Sequence, residues 1–175
     1  MARFADRAVG GFFFTSEDHE ALLSRNRSLH DGALPSGAGV AAETLLRLAA
    51  HLHDDELREP ALGTLSAYRR PASRAPSAFA SLLAAADFAE GPVPEIAIVG
   101  DPGDARTLGL LEAVRGRYLP NRVIALARPG DEGTAPPLLV GKTAVGGVPT
   151  AYLCRDFACD APATEPESLA RALDR

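Results

Sequence analysis

The pattern of apolar residues changes at Gly91-Pro92, and that change constrains the fold more than any other feature of the chain. Before it, apolar side chains recur every three or four positions in segments joined by short polar links. After it, two short apolar runs flank one further helical segment. Helical periodicity without strands calls for helix on helix, whereas strand-helix-strand calls for a sheet covered by helices. The expectation is a mixed α and β chain, with a β-hairpin and helical hairpins over residues 1–90 and a small α/β segment over residues 93–175.

Three helices are expected in the first part. The first spans 37–52, where Ala41, Leu45, Leu48 and Leu52 fall on one stripe. The second spans 59–70, with Pro60 in its first turn and Leu62, Leu65 and Tyr68 along it. The third starts near Pro76 and carries Phe79, Leu82, Leu83 and Ala86. The links at 53–58 and 71–75 are short, so successive helices are antiparallel neighbours. Ahead of them, Gly10-Gly11 and then Phe12, Phe13, Phe14 and Thr15 predict a turn and a short strand, with 24–29 as its antiparallel partner. With no length of protein before it, this hairpin reads as a piece of a longer structure.

In the second part EIAIV, residues 95–99, is a buried-strand run closed by Gly100. Asp101 is placed to cap the next helix, Pro102 suits its first turn, and Asp104 adds a favourable charge there. That helix carries Leu108, Leu111 and Val114 and ends near Tyr118; NRVIALA, residues 121–127, is a second strand. Strand, helix and strand fit in about 35 residues, the size of a βαβ unit. Residues 129–137 read as a loop, 149–155 as a third strand, and 164–174 as a final helix with a Thr164/Glu167 capping box and a Leu169/Leu173 face.

Composition narrows the function classes. Apolar content of 46% and charge of 23% are those of a soluble globular protein. A net charge of -5 argues against a nucleic-acid partner. Lys142 is the single lysine, a bias explained by GC-rich coding rather than by a guanidinium function. No apolar run reaches the roughly 18 to 20 residues of a membrane span. The N-terminal residues lack a signal-peptide core. Cys154 and Cys159 make no disulfide framework, which points to a cytoplasmic protein.

Candidate chemistry is sparse. Gly100-Asp101-Pro102-Gly103 opens a helix after a strand, but it lacks dinucleotide-binding spacing, and Asp101 and Asp104 would repel an anion. Gly141-Lys142-Thr143 matches the end of a P-loop, yet Pro136 stands where the first glycine belongs and a strand, not a helix, follows. Cys154 and Cys159 are too far apart for a thioredoxin-like motif and have too few companions for structural zinc, so free thiols are expected. His51 and His53 suit the negative end of the first helix. No cofactor or metal site is indicated. What remains is the polar junction before the first helix: His30 beside Asp31, a turn at Asp31-Gly32, a fixed backbone at Pro35, and Ser36 as a natural N-cap ahead of Gly37. A helix start and a pocket rim both explain these residues.

GGFFFT at residues 10–15, DGALPSG at 31–37 followed by LLRL at 45–48, EIAIVG at 95–100 and AYLCRDFACDAPAT at 151–164 occur in this order. Together they resemble the C-terminal part of the YyaL-like, thioredoxin-domain-containing family, which has spermatogenesis-associated relatives in mammals. Members of that family look like a thioredoxin-like domain followed by an α/α toroid of the six-hairpin glycosidase type. The resemblance implies that these helices are closing hairpins of a partial α/α toroid and that the α/β segment is its appendage. The thioredoxin-like domain and most of the toroid lie outside these residues, so the redox function suggested by the family name would belong elsewhere. Where the family usually has Asn and Ser after PSG, this chain has Ala38 and Gly39, which removes two polar groups from the suspected rim.

On this resemblance the chain is expected to be a C-terminal fragment without catalytic activity of its own. Its partners would be the missing N-terminal part of the architecture and a sugar-like small molecule. Asp31 and His30 are the candidate catalytic residues, and Ser36 and Gly37 the candidate substrate-binding ones. A carbohydrate-active hydrolase or epimerase is the enzymatic alternative, and it needs a second carboxylate within about 10 Å of Asp31. Glu17, Asp18 and Glu20 are the nearest in sequence. A stand-alone binding or scaffold module is the third possibility.

Overall fold

A computed structural model describes residues 3–20, 23–27, 29–131, 135–155 and 158–175. The chain is mixed α and β and divides into two units: Met1–Ala49 with Asp54–Gly91, and Ala50–His53 with Pro92–Arg175.

In the first unit, helix α1 spans Gly37–Leu52, as its periodicity predicts, but of the expected stripe only Leu45 is fully buried. Ala38, Gly39, Ala42, Leu45, Leu46 and Ala49 are inside, whereas Leu48 and Leu52 of the expected stripe are each over 40% exposed. Small side chains line the first turn of that face because α1 passes close there to the start of α3 (Ala80–Glu90). A Cβ on Gly39 would stand 2.8 Å from the Leu82 backbone nitrogen. Helix α2 runs over Asp55–Arg74, longer than the predicted 59–70. Asp54 caps it by accepting from the Glu56 N–H at 2.9 Å, and the helix runs through both Pro60, which lies inside it rather than in its first turn, and Pro71, neither of which has an N–H to donate. Its inner face is Ala61, Thr64, Tyr68 and Ala72. A short 3-10 turn at Pro76–Ala78 leads into α3, which buries Leu82, Ala85 and Phe88 and stops at Gly91 with a positive φ of 68°.

The predicted hairpin before α1 is not formed. Gly10 and Gly11 adopt φ of 92° and 88°, values open to glycine, and fold the chain back on its own start. Ala5 bridges Phe12, and the Phe13 N–H donates to the Phe4 carbonyl at 2.8 Å. The expected partner segment contributes one backbone bond, from Phe14 N–H to the Asn26 carbonyl; its Ser28 lies outside the described residues. Among the described residues before α1 there is no strand.

In the second unit, strands β1 (Glu95–Val99) and β2 (Val123–Ala127) pair in parallel, joined by helix α4 (Ala105–Arg115). This is the expected βαβ unit. Strand β3 (Thr150–Arg155) lies antiparallel on the other side of β1, and a two-residue strand β4 (Ala158–Cys159) pairs with β3, giving the order β2-β1-β3-β4. Helix α5 (Pro166–Leu173) packs its Leu169, Ala172 and Leu173 with Ile96, Ile98, Leu110 and Val114 into one core. Two capping details differ from expectation. Asp104 caps α4, accepting from the Arg106 N–H at 2.8 Å, while Asp101 holds the turn before it through the Gly103 N–H. The Thr164/Glu167 capping box is absent, because the chain is still extended at Ala163, paired with Ala151, and α5 starts only at Pro166. The predicted loop at 129–137 ends in a 3-10 turn, Pro137–Leu139, which buries Leu138 and Leu139; its residues 132–134 lie outside the described residues.

Candidate functional site

The polar junction at residues 29–37 is built around one carboxylate. Asp31 Oδ1 accepts the Ser36 N–H at 2.7 Å and the Ser81 hydroxyl; Oδ2 accepts the Ser81 N–H at 2.7 Å. Ser36 Oγ lies 3.0 Å from Ser81 Oγ and accepts the Gly39 N–H at 3.2 Å, so Ser36 is the N-cap of α1 that the sequence suggests. Ser81 is the second residue of α3, and its N–H is one of the donors that a helix start leaves unsatisfied. One half-buried anion therefore stands at the beginnings of two helices, where both macrodipoles favour negative charge. The Asp31 N–H closes the arrangement by donating to the Ala78 carbonyl at 2.9 Å.

Burial on its own would push the Asp31 carboxyl up. The donors from Ser81 and Ser36 outweigh it and hold the group down at about 2. An acid of that strength is ionised at neutral pH, and its oxygens are already engaged. The arrangement orients two helices. His30 lies exposed beside it, its ring tilted against buried Phe79 with centroids 4.9 Å apart. Ser36 is buried, and Gly37 faces a different space. Ser81 escapes a reading of the sequence because it sits 50 residues from Asp31, at the start of a different helix.

That different space is an apolar groove of about 500 Å³ within the first unit. Phe4, Phe12, Phe13 and Phe14 form one wall; Gly37, Ala38, Ala41, Thr44, Leu45 and Leu48 of α1 form the other. Phe14 is 73% exposed and Leu48 42%. Arg25 and Arg27 stack on the Phe13 ring at 4.1 and 5.0 Å, and Arg25 also donates to the Thr15 carbonyl, so Phe13 is held within that wall. The visible signal was the clustering of four of the chain's seven phenylalanines within its first 14 residues.

The other candidates resolve as follows. Asp18 pairs with Arg3, and Glu17 is tied through its N–H to the Arg3 carbonyl. Thr143 sits in a loop, exchanging bonds with the Tyr152 hydroxyl. Among the described residues, no group of three or more His, Cys, Asp or Glu is arranged to hold a metal ion, and no helix is long and apolar enough to cross a membrane. The cysteines correct the sequence reading. They are not free thiols: Cys154 and Cys159 are joined in a disulfide, because the β3–β4 register sets them directly opposite one another.

The fold thus defines a mixed α/β chain with a helical unit bearing an open apolar groove and a small α/β unit bearing a hairpin disulfide. The chain is 30% identical to human spermatogenesis-associated protein 20 over 97% of its own length and 31% identical to the rat protein over the same share. An uncharacterised protein of Caenorhabditis elegans is 24% identical over 91% of the chain. The chain spans 22% of the length of each, so it is similar to one region of a larger protein. No protein-family model matches it.

Proposed function

We propose that this chain is the C-terminal region of a larger protein of the YyaL-like type, and that it completes that protein's α/α toroid rather than catalysing a reaction alone. The observation that carries this reading is the groove. Leu48 on the α1 wall and Phe4 and Phe14 on the other are exposed, and Phe12 and Phe13 are only half-buried, so this apolar groove stands open. Exposed apolar surface of this kind is a contact waiting for a partner, and relatives more than four times as long have the residues to supply one. The groove is the seat of a helical hairpin from the N-terminal part.

In the complete protein the junction lies at the rim of a cavity for a sugar-like molecule. Asp31 holds the rim together as an ionised, fully engaged carboxylate. His30, exposed on Phe79, is the group there that meets the ligand.

Expressing the chain alone and together with the N-terminal remainder tests the assignment. Alone, it should self-associate with rising concentration in sedimentation velocity; with the remainder it should form a stable one-to-one complex. A monodisperse, cooperatively melting chain that ignores the remainder would make it a stand-alone module instead. In the complete protein, His30→Ala should weaken sugar binding, and unchanged binding would remove His30 from the cavity.

A further inference from the structure

The β3–β4 hairpin carries chemistry that the toroid reading does not use. Cys154 and Cys159 face each other across two adjacent antiparallel strands, five positions apart in sequence. Their surroundings differ sharply. Cys154 is 2% exposed on β3, which is flanked by β1 on one side and β4 on the other. Cys159 is exposed on the two-residue strand that ends the sheet.

The backbone holds this hairpin without help from the sulfurs. The Asp160 N–H donates to the Leu153 carbonyl at 2.9 Å, and Ala151 and Ala163 exchange two bonds at 2.8 and 2.9 Å. Arg155, next to Cys154, is 3.6 Å from Asp160, next to Cys159, and donates to the Ala172 carbonyl. The backbone bonds that set the register involve neither sulfur, so breaking the crosslink leaves both sulfurs where they can rejoin. An attacking thiolate can reach only one end of the bond, and rates of exchange follow that access.

We propose that Cys154–Cys159 is a reversible thiol–disulfide exchange site for a dithiol partner, with Cys159 the sulfur attacked. A thiolate of the dithiol bonds to Cys159 Sγ as the Cys154–Cys159 bond breaks, and Cys154 leaves as a thiolate and takes up a proton. The second thiolate of the partner then attacks its own sulfur in the mixed disulfide, releasing Cys159, which is protonated. The hairpin gains two electrons and two protons, and the partner becomes a disulfide. Run backwards, the same steps oxidise the hairpin and reduce the partner. The site rests on the sheet register alone and stands whether or not the helical unit joins a toroid.

The test is a redox titration of the whole folded chain in mixtures of reduced and oxidised dithiothreitol, quenched with acid and alkylated for mass spectrometry. The expected result is a single transition from no label to two, reversed by returning to oxidised buffer, with circular dichroism unchanged throughout. In the single variants, the thiol of Cys154→Ser should form a mixed disulfide with oxidised glutathione at least about tenfold faster than that of Cys159→Ser. Two independent results would overturn the proposal using the unmodified chain alone. One is a bond that resists dithiol until denaturant is added; the other is a pair of thiols that never closes in oxidised buffer. Equal reactivity of the two variants would remove Cys159 as the attacked sulfur.

Discussion

Asp31 connects residues that no local pattern relates. Its carboxylate satisfies helix-start donors on α1 and on α3, 50 positions further on, and so ties two helices through one side chain. Asp31→Asn keeps the shape but loses the charge and sets an amide group against a backbone N–H; a loss of about 1–3 kcal/mol in urea denaturation is expected. The pH dependence follows from the lowered pKa. A carboxyl at about 2 in the folded chain and at its ordinary 3.8 when unfolded stabilises the fold above pH 3.8, and that stability disappears as pH falls through about 2. The shift corresponds to about 2 kcal/mol at most, reduced by the group's partial exposure. Denaturation midpoints at pH 5 and pH 2.5 should therefore differ less in Asp31→Asn than in the unchanged chain. Gly39 makes the complementary point. Ala is the better helix former by about 1 kcal/mol, yet Gly39→Ala should destabilise by about 1–3 kcal/mol, read from the same curves, because the new methyl meets the α3 backbone. Ser36 could be read from the sequence, since a cap acts within its own turn. Ser81 could not, because nothing near it announces an anion from a distant loop.

At the level of elements, periodicity located every long helix and the three main strands, and it failed at their edges and faces. Helix α1 has the predicted ends and a buried face that is shifted from the predicted stripe and shares Leu45 with it. The difference has energetic consequences. Leu45, at 4% exposure, should cost about 2–4 kcal/mol on truncation to Ala. Leu48→Gln, on the exposed groove wall, should leave the melting temperature nearly unchanged while reducing self-association in light scattering. The hairpin misreading has the same origin. Residues 10–15 have strand-forming side chains, but paired glycines at positive φ choose which neighbour they meet, and they meet residues 4–5. Strand β4 is two residues long, below the reach of any alternation rule, and with it the disulfide was out of sight. Closing so short a loop contributes about 2 kcal/mol in the chain-entropy view. Reduction should thus lower the denaturation midpoint by a corresponding small step and leave the transition cooperative.

For the molecule as a whole, the two units differ in how complete they are. The α/β unit encloses its own core of Ile96, Ile98, Leu110, Val114, Leu153 and Leu169. Residues 92–175 expressed alone should melt cooperatively in calorimetry, whereas residues 1–91 should associate through the groove. The change of pattern at Gly91-Pro92, the order of helices and strands and the parallel βαβ core were all written in the sequence, because period and capping act over a few residues. Which face of α1 turns inward, what Asp31 binds, where the phenylalanines gather and whether two cysteines meet were decided only in three dimensions. Each depends on the approach of segments distant in the chain, and that approach is set by the fit of small residues such as Gly39 and by strand register, neither of which leaves a local mark.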